Sequence, residues 1–477
     1  MTSLAPSELR SRTIRSLGWQ LLGIGGQRAI QFAGLAAYAR LVDEHDIGLF
    51  GIVMAATAAV EALTAFAGEQ SQIHSARGAE RSFVDTVFTV RLIRGVVVAL
   101  LLAAAAPIFA MAFPDPDPKP HTWRTGLFLT LAFGSILDAL QSPRRAVAMK
   151  ELDFRRIAVG DFLAALTGTS VTIAIAYLRR DVWALVLGQL WTMLARSAIS
   201  YLVAPHQPRL CLDRAALGEL LRYTRGAAFA PFLLMTIFQA PAFILGALHN
   251  PALLAVYGYD ERLAKVPEDL CIRVLGPVAI PAYSTLIRSP QRLRQAWLGA
   301  LNAIALFTLP GMVALAWIGN DLPTLVFGPM FGASPGLFTC LTIHGGLAAA
   351  TAAIGPLFWA IGEPHRDRRA QLVRSLTIYL LGLPLAFSLG VTGFAIAATT
   401  AMATAFVLSL VQARRRLEVR WSELWSAVRP AVVLAVVLGG VLVAVDVVAG
   451  ARGLVGVRGL VRIGVGGWGA WGAWLRR

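Results

Sequence analysis

The densest run of chemistry-bearing side chains in the sequence is Asp260-Glu261-Arg262-Leu263-Ala264-Lys265-Val266-Pro267-Glu268-Asp269, with Arg273 a short way beyond. On a helix, Arg262, Lys265, Asp269 and Arg273 fall on nearly one stripe, because their separations are three, four and four residues. Glu261, Lys265 and Asp269 also alternate in sign at i, i+4. Two readings compete. The charges can neutralise one another as a ladder, or the segment can lie in a solvated loop. Alternatively, the stripe faces a polar cavity. A guanidinium there would match phosphate oxygens two at a time and keep its charge when partly buried.

A further basic group, Arg28, sits in the middle of an apolar run, in Gly25-Gly26-Gln27-Arg28. Arg28, Arg262, Lys265 and Arg273 are therefore the candidate binding groups for an anionic headgroup such as a diphosphate. Asp260, Glu261 and Glu61 are the candidate ion-pair partners or sites for a coupling proton or cation. Pro267 lacks an amide donor and is expected to bend or break its helix, as are Gly276-Pro277 and Pro281.

Two common catalytic signatures are missing: the sequence contains no GxxxxGK[ST] and no HExxH. Asp115-Pro116-Asp117 has the DxD form, but it lies in a short proline-rich turn with no nucleotide-binding domain around it. Cys211, Cys271 and Cys340 are isolated, so neither a zinc site nor a disulfide framework is indicated. No cofactor and no metal is implied. The expected work is movement of a substrate, and the chain is read as no enzyme.

The elements that hold these residues are set by composition. Of 477 residues, 57% are hydrophobic and 15% charged, against about 25% charged in a soluble domain. Mean hydropathy is +0.65, which over this length requires an apolar solvent. Stretches of about 20 apolar residues can span a bilayer. They are predicted at 14–39, 47–68, 87–113, 123–143, 157–178, 182–204, 226–248, 252–283, 295–318, 335–361, 372–391, 394–413, 430–449 and 460–475. The last is short, rich in Gly and Trp, and open to an interfacial reading.

The net charge of +16 is carried by basic clusters between apolar runs. That pattern favours an anionic leaflet over nucleic acid. With the N-terminus in the cytoplasm, the basic residues concentrate on the cytoplasmic side, as the positive-inside rule requires. Both termini are then cytoplasmic. Ile47-Gly48-Leu49-Phe50-Gly51 is echoed by Leu254-Ala255-Val256-Tyr257-Gly258, each after the first helix of a six-helix half, as in transporters built from repeats. The expected architecture is an all-α polytopic membrane protein. Two pseudo-symmetric six-helix lobes, 1–213 and 214–415, surround a central cavity. A basic linker and two extra helices complete the chain at 416–477.

The segments Ala39 to Phe50, Pro143 with Met149 to Arg156, Val256 to Arg262 with Pro267, Ile280 to Ser284, and Phe327 to Phe331 together resemble the lipopolysaccharide and polysaccharide biosynthesis flippases of the multidrug/oligosaccharidyl-lipid/polysaccharide exporter superfamily. Residues Ala39 to Phe50 are similar to that family's turn after the first helix. Pro143 with Met149 to Arg156 looks like its segment between helices 4 and 5. Val256 to Arg262 and Pro267 resemble its helix 8, and Ile280 to Ser284 the element after it. Phe327 to Phe331 is similar to a turn before helix 10. Asp260-Glu261 departs from the pattern, where relatives more often carry small or polar residues.

The resemblance implies alternating access in a bacterial cytoplasmic (inner) membrane. It also implies a lipid-linked oligosaccharide substrate on an undecaprenyl-diphosphate-type carrier, moved to the outer leaflet. Membrane lipids and polysaccharide assembly proteins are the expected partners. Rival readings are a drug/cation antiporter of the same superfamily, a membrane-bound polysaccharide polymerase or ligase, and a non-transporting scaffold.

Overall fold

The computed structural model describes residues 6–75, 77–112, 121–150, 154–227, 229–248 and 251–451. Asp115-Pro116-Asp117 and the expected last span, 460–475, lie outside the described residues. All regular structure among the described residues is helical. Eight helical stretches among them are long and apolar enough to cross a membrane. The chain divides into two compact units, Met1–Met235 and Thr236–Arg477.

The first unit contains α1 (Pro6–Leu41), α2 (Glu44–Leu63), α3 (Gly68–His74), α4 (Arg81–Ala112), α5 (His121–Ala139), α6 (Arg145–Lys150), α7 (Phe154–Arg179), α8 (Val182–Val203) and α9 (Arg214–Ala227). The turn between α1 and α2 owes its form to two aspartates. Asp43 caps α2 by accepting from the His45 amide at 2.9 Å, satisfying a donor that a helix start leaves orphaned. Asp46, buried, accepts from the Val182 amide at 3.2 Å and so ties the start of α2 to the start of α8. Leu49, Val53 and Ala56 of α2 then pack on Leu127 and Leu131 of α5 and Val186 of α8. The amphipathic α9 packs Ala216 and Leu220 on Phe83 and Val87 of α4.

α10 (Phe229–Phe238) carries the division between the units. Beyond it come α11 (Ala240–Leu248), α12 (Pro251–Ala264), α13 (Val266–Leu286), α14 (Pro290–Ile318), α15 (Asp321–Phe327), α16 (Leu337–Thr351), α17 (Gly355–Ala360), α18 (Pro364–Arg416) and α19 (Trp421–Ala451). The core of this unit centres on Trp297, fully buried among Tyr283, Leu301, Leu357 and Phe358.

Within α18 the backbone is not helical at Gly390, so the two expected spans 372–391 and 394–413 are two helical stretches that meet there. The Gly390 φ of 64° lies where only glycine is at ease. Leu376, Leu380 and Phe387 on α18, and Val436 and Val437 on α19, are exposed. Exposed apolar side chains in such number suit contact with lipid.

The expected break near Pro267 is present: α12 ends at Ala264 and α13 starts at Val266. Further on the expectation fails. α13 runs without interruption through Gly276, Pro277 and Pro281. A proline removes one backbone hydrogen bond, and membrane helices often absorb that loss.

Candidate functional site

The break between α12 and α13 positions the charged run. Lys265 is the single turn residue between the helices, at φ −83° and ψ 0°. Its amide still donates to the Glu261 carbonyl at 2.9 Å, and its carbonyl accepts from the Asp269 amide at 2.9 Å. The discontinuity is therefore one residue long and hydrogen-bonded on both sides. Gly345 of α16 lies against it. A Cβ there would sit 2.8 Å from the Ala264 carbonyl oxygen, so α16 can approach the break only because residue 345 has no side chain.

The structure gathers a polar cluster inside the second unit. Lys265 Nζ donates to Glu261 Oε1 at 2.8 Å, and Tyr257 Oη donates to the same oxygen at 3.4 Å. From α18, Arg374 Nη2 lies 3.3 Å from His344 Nε2 on α16. Both the Lys265 ammonium and the Arg374 guanidinium lie over the Phe238 ring, at 5.8 and 5.9 Å from its centre. Glu268 is electrostatically coupled to Lys265 and Arg374.

Several buried polar atoms of this region have no hydrogen-bond partner among the described residues. They are Asp260 Oδ1, Glu268 Oε2 and Arg374 Nε. A cavity of about 200 Å³ adjoins Arg374 and is lined also by Asp367, Gln371 and Ser409. Of Asp260, Glu268 and Arg374, Arg374 lines the cavity, and an unfilled polar atom beside a cavity of this size can be met by water or by a polar group of a ligand.

The structure brings together only some of the residues singled out from sequence. Glu261 and Lys265 meet in this cluster. Asp260 is buried, 1% exposed, beside it on α12. Arg262 is exposed, with its guanidinium 5.9 Å from the Tyr259 ring centre and no ion pair among the described residues. Arg273 lies in α13, and its side chain is outside the described residues. Arg28 is on the exposed side of α1, in the first unit. Glu61 is also in the first unit, partly buried on α2 and electrostatically coupled to Arg94 and Asp138.

The family model for polysaccharide biosynthesis proteins matches residues 37–334. The chain belongs to this family. The lipopolysaccharide biosynthesis protein WzxC of Escherichia coli K12 is 20% identical over 393 residues, covering 80% of this chain and 78% of the relative. The amylovoran biosynthesis protein AmsL of Erwinia amylovora is 24% identical over 143 residues, covering 30% of this chain and 37% of the relative. Among solved structures, the lipid II flippase MurJ in an inward closed conformation superposes with a TM-score of 0.67 at 12% identity. The match covers 90% of this chain and 98% of MurJ. An inward-facing multidrug resistance MATE transporter gives 0.63 at 16% identity, covering 82% and 94%. The fold of this family member is that of the exporter superfamily to which MATE transporters belong, and it is a multi-pass membrane protein.

Sequence reasoning misses Arg374 and His344. Arg374 reads in the sequence as part of a basic connection with Arg366, Arg368 and Arg369. In the structure it is inside α18 and only 8% exposed. A signal exists: Ala370, Arg374 and Ile378 are spaced i, i+4, i+8 and all are buried, so the arginine sits on the inward stripe of a helix. Arg91 and Arg94 fall at the start of the expected span 87–113 and belong to α4, where they meet oxygens at the end of α2 and on α5.

Proposed function

We propose that this chain flips a lipid-linked oligosaccharide on an undecaprenyl-diphosphate-type carrier from the cytoplasmic to the outer leaflet of the bacterial inner membrane, by alternating access. The product feeds polysaccharide or lipopolysaccharide assembly. The observation that carries this reading is the Lys265 break. A discontinuous helix with a lysine at the gap, beside Arg374 and several unfilled polar atoms, suits a moving element that meets anionic groups. Ionisable residues within the membrane are expensive to keep and mark substrate or ion pathways by default. Membership of the polysaccharide biosynthesis family and likeness in fold to a lipid II flippase support the same reading.

In this scheme the lobes are 1–213 and 214–415, with the linker and extra helices at 416–477, and both termini face the cytoplasm. Arg28, Arg262, Lys265 and Arg273 contact the diphosphate. Asp260, Glu261 and Glu61 serve as its ion-pair or coupling groups. The test is flipping of a fluorescent undecaprenyl-diphosphate sugar in proteoliposomes. Wild type should move it, and Arg28→Gln and Arg262→Gln should each slow it at least about tenfold, the loss of one charge-assisted contact. Unchanged rates in both variants at equal protein would remove the headgroup assignment. Selective efflux of organic cations, with no lipid movement, would favour the drug-antiporter reading. Arg28→Cys adds a check of access: in the proposed scheme a membrane-impermeant thiol reagent labels it, and lipid-facing placement would leave it unlabelled.

A further inference from the structure

The first unit carries a second polar cleft, separate from every residue assigned above. It encloses about 500 Å³ and is lined by Arg81 and Val84 from the first turn of α4, Arg144 from the turn before α6, Tyr201 near the end of α8, and His206 and Gln207 beyond it.

Its wall is a built feature. Asp85, 3% exposed, accepts from His206 Nε2 at 2.8 Å and from the Arg209 amide at 3.2 Å. The Cys211 amide donates to Thr89 Oγ1 and the Asp213 amide to Thr86 Oγ1, each at 3.0 Å. Residues 206–213 are thus strapped along α4 by three of its side chains, and the His206 ring is held in place.

The basic groups at the rim retain donors for a ligand. Arg144 is exposed and has no ion pair among the described residues. Arg81 is exposed and makes one long ion pair, Nε to Asp85 Oδ2 at 3.8 Å, while His206 and the Arg209 amide occupy Asp85 Oδ1. Glu80, the acid next to Arg81, is taken by Arg77 at 2.8 Å. Leu202, Leu210 and Leu212 stand exposed in the same chain segment, the first by 81%. Arginines beside exposed leucines match a membrane interface, where phosphates meet the guanidiniums and acyl chains meet the leucines.

We propose that this cleft binds the phosphodiester headgroup of an anionic phospholipid, with Arg81 and Arg144 on the phosphate oxygens and Gln207 offering a polar group to the rest of the headgroup. The proposal rests on the chain's spanning the membrane. It does not depend on which lipid-linked sugar is carried, because its readout is binding of an ordinary phospholipid.

The test uses the full chain in phosphatidylcholine nanodiscs with increasing phosphatidylglycerol, reading bound lipid by native mass spectrometry. Arg81→Gln with Arg144→Gln should weaken apparent phosphatidylglycerol affinity about tenfold, in line with the loss of two charge-assisted contacts. The unfolding midpoint in pure phosphatidylcholine should not move. Arg288→Gln with Arg292→Gln, an equal charge change in the second unit, should leave affinity as in wild type. Equal affinity in wild type and the first double variant would overturn the proposal, as would an equal loss in the second. Saturation by soluble glycerol 3-phosphate at the same concentrations would also overturn it, by assigning the cleft to a free phosphate. If the first double variant fails to fold, Arg144→Gln alone, at an exposed position, carries the test with an expected loss of about threefold; no loss there would count against the site.

Discussion

In the first unit the Arg145 guanidinium closes on both oxygens of Asp161, at 2.8 and 2.7 Å. Arg91 directs one nitrogen at the carbonyl and carboxylate of Asp138, and Gln141 fills the other Asp138 oxygen at 2.6 Å. Arg94 donates to the Thr64 and Glu61 carbonyls at 2.6 and 3.0 Å. In the second unit Lys265 holds Glu261, yet Glu268, Asp260 and Arg374 each keep a buried atom without a hydrogen bond among the described residues. The first network is closed and reads as scaffold. The second is open, lies at a helix break and adjoins a cavity. An unfilled buried polar atom costs about 1–3 kcal/mol, so a protein that retains several in one place has a use for them, as water sites or as contacts made during transport.

The sharpest way to break this contrast is to neutralise one charge in each network and read both transport and stability. Lys265→Gln should reduce flipping in proteoliposomes about a hundredfold, equivalent to about 2.7 kcal/mol, while the unfolding midpoint in detergent moves little. Gly345→Ala should act in the same direction without touching any charge, because the added methyl would push α16 off the Ala264 carbonyl. A loss of about tenfold is expected. If either variant instead lost stability and kept its transport rate, the open cluster would be scaffold too.

The converse experiment falls on Asp161. Asp161→Leu leaves Arg145 partly buried without its carboxylate. The pair is neither fully exposed nor fully buried, so the expected destabilisation lies between the two regimes, about 2 kcal/mol. Adding Arg145→Met should recover much of that loss, since an apolar pair avoids the desolvation cost altogether. Thermal unfolding of the single and double variants measures both numbers. Folded single-variant protein should still flip substrate. If it does not, the first network does more than hold helices together.

The two networks also differ in how far they can be read in the sequence. Residues 260–269 stand out because charge is rare in an apolar context, and Pro267 marks the break next to them. Long apolar runs are recoverable from hydropathy, and the non-helical Gly390 inside α18 falls at the boundary expected between 372–391 and 394–413. Arg374 is hard to read as buried because Arg366, Arg368 and Arg369 precede it closely, and only its helical spacing with Ala370 and Ile378 separates it from them. His344 is a lone histidine in an apolar helix and carries no pattern of its own. Arg91 and Arg94 lie within the expected span 87–113, but their partners on α2 and α5 are not legible from it. Pairings such as Arg145 with Asp161, 16 residues apart and on different helices, need tertiary structure. Resemblance to a family helps with the order of the helices, and it says nothing of which charges are closed.

The smallest effect should come from a closed cluster outside the apolar spans. Glu363, just before α18, accepts from Arg416 Nε at 2.8 Å and from Arg366. Partial burial works to raise its pKa, but the hydrogen bonds from Arg416 and Arg366, with their charges, outweigh it and hold the carboxyl below its ordinary value. The folded pKa is therefore depressed relative to the unfolded one. The stabilisation is present in full above the unfolded glutamate pKa of about 4.3, and it is lost as pH falls through the folded value. Because the side chains lie near water, screening limits the gain to about 0.5 kcal/mol. Unfolding midpoints measured from about pH 6 down to about pH 3, the range that brackets this titration, should show a shallower acid limb for Glu363→Gln than for wild type. Raised salt should shrink the difference. A limb of equal slope in both would mean that Glu363 titrates alike in the folded and unfolded chains. The closed clusters would then owe their stability to hydrogen-bond geometry and packing, and the contrast with the open cluster around Lys265 would rest on unfilled polar atoms alone.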